Sequence, residues 1–146
     1  MSILKSILKW QQTAKPVPTI EDACVAIGCH YEEVGEMAAV TGEKEILELC
    51  EGASYYYKRQ DKSFLSDLEL LANDDEAKIE LLDALCDQIV TAVGVAHMLD
   101  MDIEGALDEV NKSNYSKFED GKAVLDENGK IRKGKDYFPP DLTKFI

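Results

Sequence analysis

The stretch DEAKIELLDALCDQIVTAVGVAHML, residues 75–99, decides the fold class. Ile79, Leu82, Cys86, Ile89, Val93 and Ala96 recur at a spacing near 3.5, the seam of a helical bundle. Leu81, Leu85 and Val90 make other faces apolar too. A helix apolar nearly all round is either central or covered again by another subunit. Asn73 or Asp74 is placed to cap its start.

Working outward, every segment before Gly121 reads as helix. Residues 2–13 offer Ile3, Ile7, Leu8 and Trp10 as one face, and Pro16 and Pro18 then break the chain. Thr19 caps a second helix, with Glu21 and Asp22 in its first turn where the dipole favours anions. Ile20, Ala23, Cys24, Ile27, Val34 and Ala38 carry its apolar period to about Val40, and Gly42 ends or kinks it. A third helix is predicted over about 43–59, with Ile46, Leu47, Leu49 and Cys50 inward. A short helix near 64–71 precedes the long one, and Asp102 caps a last helix over roughly 103–118. Beyond Gly121 the pattern changes. Asn128-Gly129 between Val124, Leu125 and Ile131 is a hairpin signal, and Pro139-Pro140 forbids helix. The expectation is one all-α domain, 1–146: a helical bundle, assembled as an oligomer, with a short irregular or hairpin C-terminal tail over about 121–146.

Composition narrows the functional classes. Sixteen basic against 29 acidic residues give a net charge of −13, which repels nucleic-acid polymers and anionic lipid. The charge is uneven: 23 acidic and eight basic groups lie in residues 1–111, but six acidic and eight basic groups in residues 112–146. An acidic body with a basic C-terminal segment suits an anionic ligand that arrives with a metal. No apolar run approaches the roughly 20 residues of a membrane span, and the first ten residues are too interrupted by Lys for a signal peptide. Cys24, Cys29, Cys50 and Cys86 form no CxxC pair. They read as small buried residues of a cytoplasmic protein rather than as a zinc or disulfide frame.

Two acidic stripes carry the chemistry. Glu32, Glu33 and Glu36 share one helix face at i, i+3 and i+4 spacings. Glu80, Asp83 and Asp87 make a second stripe on the most apolar helix of the chain. Buried carboxylates there would need a cation, and Lys78 is the one Lys or Arg between Lys62 and Lys112. A hard ion with oxygen ligands, Mg²⁺ or Mn²⁺, fits such donors. Two exposed, solvated acidic faces are the alternative.

The order of these motifs, Glu32-Glu33-x-x-Glu36 and then Glu80-x-x-Asp83, resembles the all-α nucleoside triphosphate pyrophosphohydrolases. This is the MazG-like group, which includes phosphoribosyl-ATP pyrophosphohydrolase. The tail is similar to that of the phage-type, MazZ-like branch: residues 109–118 (EVNKSNYSKF), then Asp120-Gly121-Lys122, Gly129-Lys130, Lys133-Gly134 and residues 137–142 (YFPPDL). The resemblance covers roughly 18–142, and the gap from Glu36 to Glu80 is longer than in compact members. It implies Mg²⁺-dependent hydrolysis of a nucleoside triphosphate, dGTP favoured, to the monophosphate and pyrophosphate, by water attack on the α-phosphorus. Glu33, Glu36, Glu80 and Asp83 would be metal ligands. Glu32 and Asp87 would lie in the outer shell, and either Glu32 or Glu36 would be the general base.

Asn111, Lys112, Asn114 and Lys117 would meet phosphate or sugar. Lys130, Lys133 and Tyr137 would close over the phosphates or touch a neighbouring subunit. A homodimer or homotetramer in the cytoplasm, the host's if phage-encoded, is implied as well. Trp10 and the run Tyr55-Tyr56-Tyr57 either stack a base or pack in a core. Two rival readings stand beside this one: phosphoribosyl-ATP pyrophosphohydrolase, and a non-enzymatic acidic helical interaction protein.

Overall fold

The structure, a computed structural model, describes all residues 1–146. It is all-helical, with six α-helices and no strand: α1 (Ile3–Ala14), α2 (Ile20–Thr41), α3 (Lys44–Lys58), α4 (Lys62–Ala72), α5 (Asp75–Met98) and α6 (Ile103–Tyr115). A single 3₁₀ turn, Thr143–Phe145, closes the chain. No helix is long and apolar enough to cross a membrane. The residues gather into two compact units. One holds residues 18–75 and 127–130, the other residues 1–17, 76–126 and 131–146.

The unit built on residues 18–75 is a helical hairpin, α2 against α3, with α4 on α2. Its start is set by a capping box. Thr19 Oγ1 accepts from the Asp22 N–H at 3.2 Å, and the Thr19 N–H donates to Asp22 Oδ2 at 3.1 Å. The turn is set by Gly42, whose φ of 84° ends α2 while the Glu43 N–H donates back to the Ala38 carbonyl at 2.8 Å. A glycine adopts this left-handed cap without the Cβ penalty.

From that turn the two helices run back along each other at very close range. A Cβ on Gly35 would lie 3.1 Å from Cys50 Cβ, and one on Gly28 would lie 2.8 Å from Lys58 Cγ and 3.0 Å from the Ser54 carbonyl. Cys24, Val25, Ala38, Cys50, Ser54 and Leu68 are buried around this seam. The expected inward set was too broad. Ile46 and Leu49 are exposed, and Val25 is buried where Ala23 was expected. The glycine face, narrower than the apolar period, decides which residues meet α3. Tyr56 and Tyr57 pack on Phe64, and Tyr57 also stacks on Tyr31, so two of the three tyrosines serve packing.

In the other unit α1 packs on α6. Trp10, 7% exposed, stacks on Phe118 with ring centroids 5.7 Å apart. Leu8, expected on that face, is exposed. Helix α6 is capped by Asp102, which accepts from the Gly105 N–H at 3.0 Å, and it stops at Tyr115, short of the predicted 118.

The tail is ordered because its backbone finds partners. Ser113 Oγ donates to the Phe138 carbonyl, the Phe138 N–H donates to Ser116 Oγ, and the Lys135 N–H donates to Glu119. The predicted hairpin is present in reduced form, an antiparallel bridge between Leu125 and Ile131 with Gly129 at φ 80°.

Of the two places expected for α5, central in the chain or covered by another subunit, the first is not found. Of its residues only Ala96 is buried, and Ile79, Leu82, Ile89 and Val93 are 69, 62, 51 and 43% exposed. It is not a central helix of the single chain, and Cys86, expected to be buried, is exposed on it. The other three cysteines are free thiols as well, Cys24 and Cys50 buried and Cys29 half-buried.

Candidate functional site

The hairpin of α2 and α3 carries a half-open cavity of about 390 Å³, lined by Glu32, Gly35, Glu36, Leu47, Glu51, Ser54, Tyr55 and Lys58. That volume is in the range of small-ligand sites. Gly35 lines it, and a Cβ there would lie 3.1 Å from Cys50 Cβ and 3.5 Å from Leu47 Cδ1. Leu47 is the apolar floor, while Glu36, Glu51 and the exposed Tyr55 ring line it with polar and aromatic groups. Arg59 lies 5.0 Å from the Tyr55 ring centre and donates to its hydroxyl.

Glu32 is the most engaged of the expected carboxylates. Its Oε2 receives Lys58 Nζ at 2.7 Å and Lys130 Nζ at 2.9 Å. Lys58 belongs to the last turn of α3, and Lys130 comes from residues 127–130, which are also tied by Gln60 donating to the Asn128 carbonyl. Partial burial pushes the Glu32 carboxyl up, but hydrogen bonds and charge from Lys58 and Lys130 together outweigh it and hold the group below the ordinary glutamate range. The same hydrogen bond raises Lys130, and burial raises the neighbouring Cys29 thiol.

Glu33 and Glu36, expected as metal ligands, are exposed one turn apart on α2, with Glu36 at the cavity. Glu80, Asp83 and Asp87 are all exposed on α5. Exposed there, these carboxylates stay solvated in the single chain, and burial does not demand a cation beside them. The donors are of the kind a hard cation takes, yet no three His, Cys, Asp or Glu side chains gather into a group able to hold a metal ion. In the single chain the acids stay dispersed along α2 and α5.

The basic segment is also partly committed. Asn111, expected to meet substrate, is instead buried at 5% exposure, with its amide donating to Ser6 Oγ at 2.8 Å. Lys112 pairs with Asp108 on its own helix at 2.7 Å. Asn114 is half-buried. Lys117 lies 6.0 Å from the Trp10 ring centre, and Lys133 lies 4.7 Å from that of Tyr137. Of the expected residues, the structure brings Glu32 and Lys130 together at a cavity that Glu36 also lines.

Sequence reasoning missed Lys58, Glu51 and the specific place of Tyr55. The signal was Gly42. Counting back from that turn pairs Gly35 with Cys50 and Gly28 with Ser54 and Lys58, so a lysine ending α3 falls within reach of Glu32. Compared with family models, curated proteins and solved structures, the chain matches none.

Proposed function

We propose that the chain is a nucleoside triphosphate pyrophosphohydrolase of the MazG-like kind, acting on a (d)NTP with dGTP favoured. The proposal includes dependence on Mg²⁺, with Mn²⁺ as a substitute, and a homodimer or homotetramer in the cytoplasm. The order of the two acidic motifs and the tail supports it. The observation that carries it is the α2–α3 cavity, which sets carboxylates Glu36 and Glu51 and an aromatic face at Tyr55 beside the lysines held by Glu32. Acid for a cation, ammonium groups for phosphate and a ring for a base are what a metal–nucleotide ligand presents counterparts to. Glu36 is the better placed of the two candidate bases, because both lysines occupy the same oxygen of Glu32.

The test is incubation of the purified protein with Mg²⁺ and each common NTP and dNTP, pyrophosphate and orthophosphate being measured separately. Pyrophosphate release from one or two nucleotides is the expected result, with most turnover lost in Glu36→Gln and in Asp83→Asn at unchanged helicity. Competition by phosphoribosyl-ATP separates the histidine-pathway activity from it.

One observation favours a second reading, the acidic helical interaction protein: α5 exposes Ile79, Leu82, Ile89 and Val90 beside Glu80, Asp83 and Asp87. That reading predicts no release from any nucleotide, with Mg²⁺ or with Mn²⁺.

A further inference from the structure

Two ammonium groups converge on one carboxylate oxygen, Glu32 Oε2. Lys58, Lys130 and Glu32 together carry one net positive charge, in a chain whose net charge is −13. Both ammoniums donate to the same Glu32 Oε2. Lys58 cannot easily withdraw. Its side chain is 20% exposed, and its stem is held against the Gly28 face of α2. Lys130 is held from the opposite end of the sequence by a short segment that itself leans on Gln60. A surface salt bridge would add little and would not need two lysines. A pair of ammoniums fixed at one point, beside a cavity, is how an oxyanion is received.

We propose that Lys58 and Lys130 form a phosphoryl-oxyanion seat beside the α2–α3 cavity, which Lys58 and Glu32 line and Lys130 reaches through Glu32, with Glu32 as the internal competitor that occupies the seat when no ligand is bound. An incoming phosphoryl oxygen takes the place of Glu32 Oε2 between the two ammoniums, and the released carboxylate turns to solvent or to a cation. Glu32 then acts by setting the affinity of the seat, and Lys58, from α3, is a ligand-binding residue. The proposal rests on the pyrophosphohydrolase reading only for the natural ligand, a nucleoside triphosphate. The seat itself is a property of these three side chains.

The probe is inorganic pyrophosphate, titrated into the full chain in EDTA so that no metal and no turnover enter, with binding followed by calorimetry. Saturable binding that weakens about tenfold in Lys58→Met and in Lys130→Met is expected, the loss of one charge-assisted hydrogen-bond donor each. Glu32→Gln is the decisive variant. It removes the competitor and leaves both lysines, so binding tightens several-fold. If the trio is only a structural clasp, Glu32→Gln gives no gain and the two lysine variants no loss, and the proposal falls. Circular dichroism on each variant separates a lost seat from a lost fold. Should Lys58→Met unfold, Lys58→Arg, which keeps the charge, must retain binding while Lys130→Met loses it.

Failure of nucleotide turnover together with Lys58-dependent pyrophosphate binding would overturn the enzyme reading and keep the seat. Turnover with pyrophosphate binding indifferent to all three variants would do the reverse.

Discussion

Gly28→Ala tests the close approach on which the cavity depends. Left to the helix alone, the change is favourable: alanine in a helix interior gains about 0.5–1 kcal/mol over glycine. The surroundings oppose it. The new methyl would sit 2.8 Å from Lys58 Cγ, 3.0 Å from the Lys58 nitrogen and 3.0 Å from the Ser54 carbonyl, where ordinary contact begins near 3.4 Å. The Lys58 stem can move, but two of the three obstacles are α3 backbone, so the helices must part by several tenths of an ångström.

Overpacking of this kind costs about 1–3 kcal/mol. The net is a loss of about 0–2.5 kcal/mol, or a fall in Tm of up to roughly 10 °C for a chain of this size. Gly52→Ala in α3 is the matched control. Nothing lies within 4 Å of its added Cβ, so it keeps the helix gain and raises Tm. Thermal and urea unfolding followed by far-UV circular dichroism measures both. If Gly28→Ala stabilises as much as Gly52→Ala, the helices do not touch at that point, and the cavity and the Lys58 position derived from the contact are wrong.

Further outcomes follow from named contacts. Ser113→Ala leaves the Phe138 carbonyl without its donor, so limited proteolysis should cut the tail within 135–142 faster than in the parent chain, at little change in helicity. The Glu32 carboxyl is lowered in the folded chain, so its contribution is complete above the unfolded glutamate value and is lost as pH falls through the folded one. Hydrogen exchange at residues 127–130 should therefore rise, relative to the rest of the chain, on acidification below the ordinary glutamate range. Glu32→Gln should remove that dependence. An unchanged acid response in that variant would assign the effect to other carboxylates.

What could be read in advance was local. The Thr19 and Asp102 caps, the Gly42 stop and the Asn128-Gly129 turn each act through residues within a few positions, and each is found. Periodicity said that α5 has apolar faces, but not what covers them, and in the single chain nothing covers Ile79 or Leu82. The same limit explains α3: Ile46 and Leu49 fit the helical period, but Gly35 on α2 meets Leu47 and Cys50 and Gly28 meets Ser54 and Lys58. Glu32, Glu36 and Lys130 were legible as chemistry-bearing residues because the motif names residue types. Their partners were not, because Lys58 meets Glu32 through a hairpin and Lys130 meets it across 98 positions of sequence.

That separation has a bearing on time. The α2–α3 hairpin closes on its own turn at Gly42, so it can form as soon as residue 58 is free to fold. Lys130 is made 72 residues later. A chain still being synthesised therefore holds Glu32 and Lys58 as a simple pair, and the second ammonium joins only after the intervening residues have been made. Closing the longer loop adds little in free energy, since that cost grows only logarithmically with length. It adds delay instead. Phosphate affinity at this place would therefore come later than the hairpin itself, by the time those 72 residues take to be made.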